Sequence, residues 1–240
     1  MKVRFLDLRP SQHEKEIMLR AIEDVMSHGI FVHGEELLEF ERLMAEATSR
    51  AYCTGVSSGT SAVYLALKAL KIGSGDEVIT SSLSWIGTAN AIALTGANPV
   101  FADIDDDLNI NPYSAEKLIT KSTKAILSVD YTGRICKVEK LKSICEKNDI
   151  HLVEDGSQAY GAYDTQGNKV GGYGVISAIS HNPMKVFSAI GEAGSITTND
   201  GNLDELIKSL RYNGMINKEY LVEPSQNYRL DTIQAAILVK

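Results

Sequence analysis

Lys185 stands in the segment Ser180-His181-Asn182-Pro183-Met184-Lys185, followed shortly by Gly191-Glu192-Ala193-Gly194. A lysine in an apolar, glycine-flanked stretch is poorly placed as a surface charge. Burial lowers the proton affinity of an amine and leaves a nucleophile suited to Schiff-base formation with an aldehyde. A lone lysine more often snorkels out of a strand end, so its company decides. Ser57-Ser58-Gly59-Thr60-Ser61-Ala62 leads straight into the apolar helical run Val63–Leu67. Hydroxyls and free N–H groups at a helix start suit a phosphate, although Ser and Thr are also ordinary N-caps. Val153-Glu154-Asp155-Gly156-Ser157-Gln158 falls at the C-terminal end of an expected strand, the edge where open α/β sheets hold ligands. There Asp155 can hold a protonated pyridine nitrogen and Gln158 can reach a ring hydroxyl. An Asp in that place equally well caps the next helix. Trp85, the single tryptophan, follows another expected strand and can stack on a planar ring, though one tryptophan is more often core. Ser180 ends a strand just before the lysine, where its hydroxyl can meet the same phosphate. Gly191 and Gly194 let backbone come close.

Each signal is weak alone. Together they supply what pyridoxal 5'-phosphate requires: an anion cradle, a carboxylate for the ring nitrogen, a stacking aromatic and an amine for the aldehyde. Asp155 would keep the ring cationic and electron-withdrawing. Lys185 would then move the proton between substrate and cofactor carbons.

The elements that must position these groups follow from periodicity. Two amphipathic helices open the chain, the first with Ile17, Ala21 and Val25 on one face and Gly29 as its stop, the second after Gly34 with Leu37, Phe40, Leu43, Met44 and Ala47. Strands are expected at Val78–Thr80, Pro99–Phe101, Ala125–Val129, His151–Glu154 and Val175–Ile179, with helices over 60–70, 84–95, 137–148 and 202–213. This alternation predicts an α/β fold, three layers with a mostly parallel central sheet. Of the 240 residues, 24 are basic and 31 acidic, a formal charge of −7 that argues against nucleic acid as a partner. Cys53, Cys136 and Cys145 lack metal-ligand spacing and read as buried thiols of a reducing compartment. The opening Met1–Asp7 lacks a signal-peptide pattern and no run is long enough to span a membrane, so the expected location is cytoplasmic. The chain stops inside the apolar pattern Ala235–Lys240, whose face is expected to need further chain or a partner to pack on.

In order, the motifs resemble those of the DegT/DnrJ/EryC1/StrS sugar-nucleotide aminotransferases, nearly end to end. Gly29–Gly34 resembles the family's entry loop. Ser58–Ala62, Gly73–Thr80 and Gly96–Ile104 resemble its phosphate loop and the two strand units after it. Glu154–Ala162 and Asn182–Lys185 resemble its cofactor motifs, and Arg211–Gly214 and Asn227–Asp231 its later signatures. The resemblance implies the aspartate aminotransferase fold (fold type I). Residues 1–240 would be an N-terminal arm and the large cofactor-binding domain, with a small C-terminal domain absent. It further implies that Lys185 links to the aldehyde, Asp155 pairs with the ring nitrogen, Gln158 contacts the phenolic oxygen and Trp85 stacks on the ring. Thr60, Ser61 and Ser180 would bind phosphate. Asn227 would reach the phosphate of a partner subunit, making a homodimer with shared sites. The implied reaction is ping-pong, from L-glutamate to a nucleotide-linked keto sugar, in the synthesis of surface polysaccharides such as O-antigen or of related glycans.

Two positions depart from the pattern. Many relatives have histidine where Asp130 stands, and His181 takes a place often filled by phenylalanine. Related sugar dehydratases replace the anchoring lysine with histidine, so the intact Lys185 speaks against that activity. The alternative from another class is a truncated, catalytically silent homologue that binds cofactor or a partner subunit.

Overall fold

The computed structural model describes residues 6–240. The first residues of the opening segment, 1–5, lie outside the described residues, so the signal-peptide reading is not addressed there.

Seven strands form the central sheet: β1 (Tyr52–Val56), β2 (Glu77–Ser81), β3 (Asn98–Ala102), β4 (Thr123–Val129), β5 (His151–Asp155), β6 (Ile176–Ser180) and β7 (Gly194–Thr198). Their order is β1-β7-β6-β5-β4-β2-β3. Every pairing is parallel except those of β7, which runs antiparallel to both β1 and β6. The expected mostly parallel sheet is present. The helices are α1 (Gln12–His28), α2 (Glu35–Thr48), α3 (Gly59–Ala69), α4 (Ile86–Leu94), α5 (Pro112–Lys117), α6 (Val138–Asn148), α7 (Gly201–Arg211) and α8 (Thr232–Val239). A short hairpin, β8 (Met215–Ile216) with β9 (Tyr220–Leu221), follows α7.

Strands buried on both faces explain the continuous apolar runs. Successive residues point to opposite sides: Val78, Ala125, Leu127 and Val153 join α3, α4 and α7 in one core. Ile79, Ile126 and Leu152 join α5, α6 and Tyr173 in the other. A third cluster packs α2 and α8 against β1, Ile179 and Leu230.

Besides the short β8–β9 hairpin, three elements were not expected from the sequence. β1 and β7 carry Gly, Ser, Thr and Cys rather than a β-branched apolar run, yet four residues of β1 and all of β7 are buried. Gly55 shows why: a Cβ there would lie 2.9 Å from Leu37 and 3.0 Å from Leu230. The short α5 is announced only by its Asn111 cap, which accepts from Tyr113 and Ser114, and by Pro112 at its start. The expectation that the apolar pattern at 235–240 needs further chain or a partner to pack on is corrected. Ala235 and Leu238 pack with Leu37, Phe40 and Met44 of α2, and Ala236 and Ile237 pack on Ala21 and Val25 of α1. Among the described residues no helix is long and apolar enough to cross a membrane.

Candidate active site

The C-terminal edge of the parallel strands gathers the chemistry. β5 delivers Asp155, β6 delivers Ser180, and the connection after β6 carries Lys185. The turn after β1 opens α3 at Ser58–Gly59, and the turn after β2 ends at Trp85, the N-cap of α4.

Lys185 sits half-buried at a turn closed by its own N–H donating to the Asn182 carbonyl, 2.8 Å. Its Nζ donates to Gln158 Oε1 at 2.9 Å. Burial lowers its pKa, opposed by the charges of Asp155 and Glu192. Asp155 is only 7% exposed. Its Oδ1 accepts from Ser157 N at 3.1 Å and its Oδ2 from the Thr88 hydroxyl at 3.4 Å. Burial pushes its pKa up, while those bonds and Lys185 hold it down. The amine and acid thus favour each other's charged forms. The loop around the lysine is pinned from below by His181, which is fully buried and bonded to Ser195 Oγ and the Phe187 carbonyl.

At the α3 start, Ser58 and Ser61 form a reciprocal capping box. The Ser61 hydroxyl, 6% exposed as a residue, also lies 3.1 Å from Ser57 Oγ and 2.8 Å from the Ser58 carbonyl, so in this structure it serves its own turn. Ser61 N and Ala62 N are used within the turn. Among the described residues the Gly59 and Thr60 N–H groups have no acceptor, as helix starts require. Ser180 lies directly against them: a Cβ on Gly59 would sit 2.4 Å from Ser180 Cβ and 2.9 Å from its Oγ. Gly194 lets β7 approach the same turn, since a Cβ there would be 2.4 Å from the Ser58 carbonyl. Thr60 and Trp85 are neighbours across Gly87, whose Cβ would meet Thr60 Oγ1 at 2.8 Å and Trp85 Cδ1 at 2.9 Å. The indole is 73% exposed, an open face on this rim.

Lys185, Asp155, Gln158, Ser180, Thr60, Ser61 and Trp85 therefore lie on one edge of one sheet. Asn227 does not join them. It bridges Tyr212 and accepts from Arg229 N at 3.2 Å and Arg229 Nε at 2.8 Å. Two positioning groups were not singled out beforehand. Thr88, hydrogen-bonded to Ser84 Oγ at 2.7 Å, orients Asp155, and the Ser157 hydroxyl accepts from Ser180 N at 2.9 Å. Ser157 thereby ties the acid to the end of β6. Only its place two residues after Asp155 hinted at this.

The model of the DegT/DnrJ/EryC1/StrS aminotransferase family matches residues 12–240. The chain belongs to this family. Among curated relatives it is 34% identical over 99% of its length to UDP-2-acetamido-2-deoxy-3-oxo-D-glucuronate aminotransferase of Pseudomonas aeruginosa, covering 66% of that protein. It is 39% identical over 98% of its length to dTDP-3-amino-3,6-dideoxy-alpha-D-galactopyranose transaminase of Aneurinibacillus thermoaerophilus, covering 65% of that protein. Among solved structures it superposes with a TM-score of 0.93 on NtdA from Bacillus subtilis with bound cofactor PMP, at 30% identity, covering 99% of this chain and 55% of that one. The chain thus spans about two thirds or less of the length of these family members. The fold is that of the fold type I aminotransferases.

Proposed function

We propose that the protein is a pyridoxal phosphate-dependent aminotransferase that moves an amino group from L-glutamate to a nucleotide-linked keto sugar. The observation that carries this reading is the meeting of Lys185, Gln158 and buried Asp155 at one strand edge. The residues fit the group on a test independent of any relative. A cofactor with a phosphate, a basic ring nitrogen and a ring oxygen needs three different partners, and the site holds all three. The unpaired N–H groups of Gly59 and Thr60 lie beside the Ser180 and Thr60 hydroxyls, closely enough that no Cβ fits at position 59. Asp155 is the buried acid, and Gln158 lies beside the amine.

When bound, the cofactor supplies an electron sink that lets a C–H bond next to nitrogen break near neutral pH. The remaining work falls to the chain. Thr60, Ser61, Ser180 and the α3 start would hold the phosphate, with the capping box of Ser58 and Ser61 keeping that start in shape. Asp155, oriented by Thr88 and Ser157, would hold a proton on the ring nitrogen. Gln158 would hold the ring oxygen and Trp85 would cover a ring face. Lys185 would hold the aldehyde through Nζ, and its amine is placed to take and return a proton at the substrate carbon. Burial lowers the proton affinity of its amine, opposed by Asp155 and Glu192.

We further read residues 1–240 as an arm and a large cofactor-binding domain that works as a homodimer. Two features support this. Trp85, Met184 and Val186 leave apolar surface on the rim at 73%, 65% and 81% exposure. Asn227, placed away from this chain's own cradle, is free to face a partner's. The three buried, unpaired thiols fit a cytoplasmic location. The product class is amino sugar for surface polysaccharide such as O-antigen or for a related glycan.

The test is the visible spectrum of the purified protein with pyridoxal phosphate. Colour that bleaches with glutamate, followed by amination of one member of a panel of keto sugar nucleotides, supports the proposal. Colour that glutamate leaves untouched points to the silent homologue. A stable, cofactor-loaded monomer in light scattering contradicts the shared-site dimer.

A further inference from the structure

Asp130 follows β4 and is joined backbone to backbone with Asp155, its N–H donating to the Asp155 carbonyl at 3.1 Å. Its carboxyl is fully buried. Oδ1 accepts from Cys136 N at 2.8 Å and from the Tyr173 hydroxyl at 2.7 Å, while Oδ2 has no partner among the described residues. A buried carboxyl oxygen without a donor is costly, and nothing in the surrounding apolar cluster requires an acid.

Its neighbour Glu154, also fully buried, takes up the question of where the protons sit. Glu154 Oε1 accepts from Gly171 N at 2.6 Å, and Oε2 lies 2.5 Å from Ser177 Oγ. The Ser177 hydroxyl also lies 2.9 Å from the Tyr173 carbonyl. One hydroxyl proton serves only one of these oxygens. A proton on Glu154 satisfies both contacts. Burial, with Asp130 adding to it, holds Glu154 well above the usual carboxylate range. Glu154 therefore stays neutral, and Asp130 is left as the group that ionises behind the ring acid. Burial raises its pKa to about 6, with Tyr173 and Cys136 opposing and Asp155 reinforcing. Tyr173 faces it from the segment before β6, Cys136 from the approach to α6, and Asp155 and Glu154 from β5. Beyond these, Arg50 interacts with Glu154 and Lys185 with Asp155.

We propose that Asp130 is a positioning residue for the ring acid: its carboxylate, anchored by Tyr173 and Cys136 on the sheet face opposite the Asp155 carboxyl and linked to Asp155 through the backbone, strengthens the hold of Asp155 on a proton shared with a bound ring nitrogen. This rests on the reading that Asp155 faces the ring of pyridoxal phosphate. A negative charge behind Asp155, where both carboxyls are buried, makes proton loss from that pair and from the nearby lysine linkage harder. The hydrogen bonds of Oδ1 fix the charge in place, and the bare Oδ2 leaves it unquenched.

The experiment follows the visible absorbance of the pyridoxal phosphate-loaded protein against pH, for wild type and Asp130→Asn. The amide keeps an acceptor for Tyr173 and Cys136 and removes only the charge. The expected result is a midpoint lowered by on the order of one pH unit, with near-ultraviolet circular dichroism unchanged. A normal band with an unmoved midpoint overturns the inference and leaves the cofactor reading intact. No band in the wild type removes the cofactor reading, and this inference with it. Should Asp130→Asn fail to fold, Tyr173→Phe takes its place. Losing the hydroxyl favours the neutral acid, so the midpoint falls in the same direction by a smaller amount, and an unmoved midpoint again overturns the proposal.

Discussion

Replacing His181 with phenylalanine tests how the lysine loop is held, and its size can be worked from the geometry. The Phe187 carbonyl, 3.3 Å from Nδ1, can only accept, so Nδ1 carries the ring proton. Nε2 then accepts from the Ser195 hydroxyl at 2.9 Å. Phe40 and Phe187 pack edge-on at 5.4 Å and 5.2 Å, leaving room for a phenyl ring of similar shape. Near neutral pH the variant strands the Ser195 hydroxyl and the Phe187 carbonyl, a cost of ~1–3 kcal/mol. Burial lowers the His181 pKa from 6.5 to about 4. The unfolded chain therefore binds a proton as pH falls through 6.5, and the folded chain does not until about 4. Stability from the neutral imidazole is full above that window and drains away as pH drops through it, by roughly 3 kcal/mol in all. Phenylalanine has no such loss. Asp130 titrates in both proteins and cancels in the difference. In urea unfolding the variant should be the less stable near neutral pH, with the gap closing or inverting by about pH 4.5. A gap that stays constant across that range refutes the buried neutral histidine. Adding Ser195→Ala to the variant should recover part of the loss near neutral pH.

Further outcomes follow from the same geometry. Gly59→Ala drives a Cβ to 2.4 Å from Ser180 Cβ and 3.0 Å from its Cα, so α3 and β6 must part. Titration calorimetry should show pyridoxal phosphate affinity reduced by ~10–100-fold, and unchanged affinity removes this cradle as the phosphate site. Asp155→Asn should slow the glutamate half-reaction by on the order of a hundredfold or more while stopped-flow still detects bound cofactor. An unaffected rate would show that the ring nitrogen is held elsewhere. Glu41→Ala strips Arg211 of its buried partner, 2.5 Å away, and should destabilise the protein by ~3–5 kcal/mol in chemical denaturation. A loss below about 1 kcal/mol would mean that the pair is solvated.

What the sequence made legible is what repeats locally. Ala125–Val129 and His151–Glu154 read as strands because they are short runs dominated by apolar and β-branched residues, buried on both faces apart from His151. Lys185, Asp155 and Ser180 could be placed at strand ends for the same reason. β1 and β7 escaped because their burial comes from close backbone approach at Gly55 and Gly194, which suppresses the side chains that periodicity detects. The neighbourhoods of Asp130 and His181 escaped for another reason. Tyr173 lies 43 positions from Asp130 and Ser195 lies 14 from His181, and only the sheet brings them together. The family resemblance implies Ser61 as a phosphate ligand, while the helix start by itself equally suits a plain cap. The capping role of Ser61 depends on hydroxyl rotations that sequence does not reveal.

The central claim is that the amine at position 185 is the one that bonds the cofactor aldehyde. Incubation with pyridoxal phosphate, reduction with borohydride and peptide mapping by mass spectrometry test it directly. The account predicts stoichiometric modification confined to Lys185, lost when glutamate is added first. Label scattered over surface lysines, or full labelling in Lys185→Ala, would contradict it.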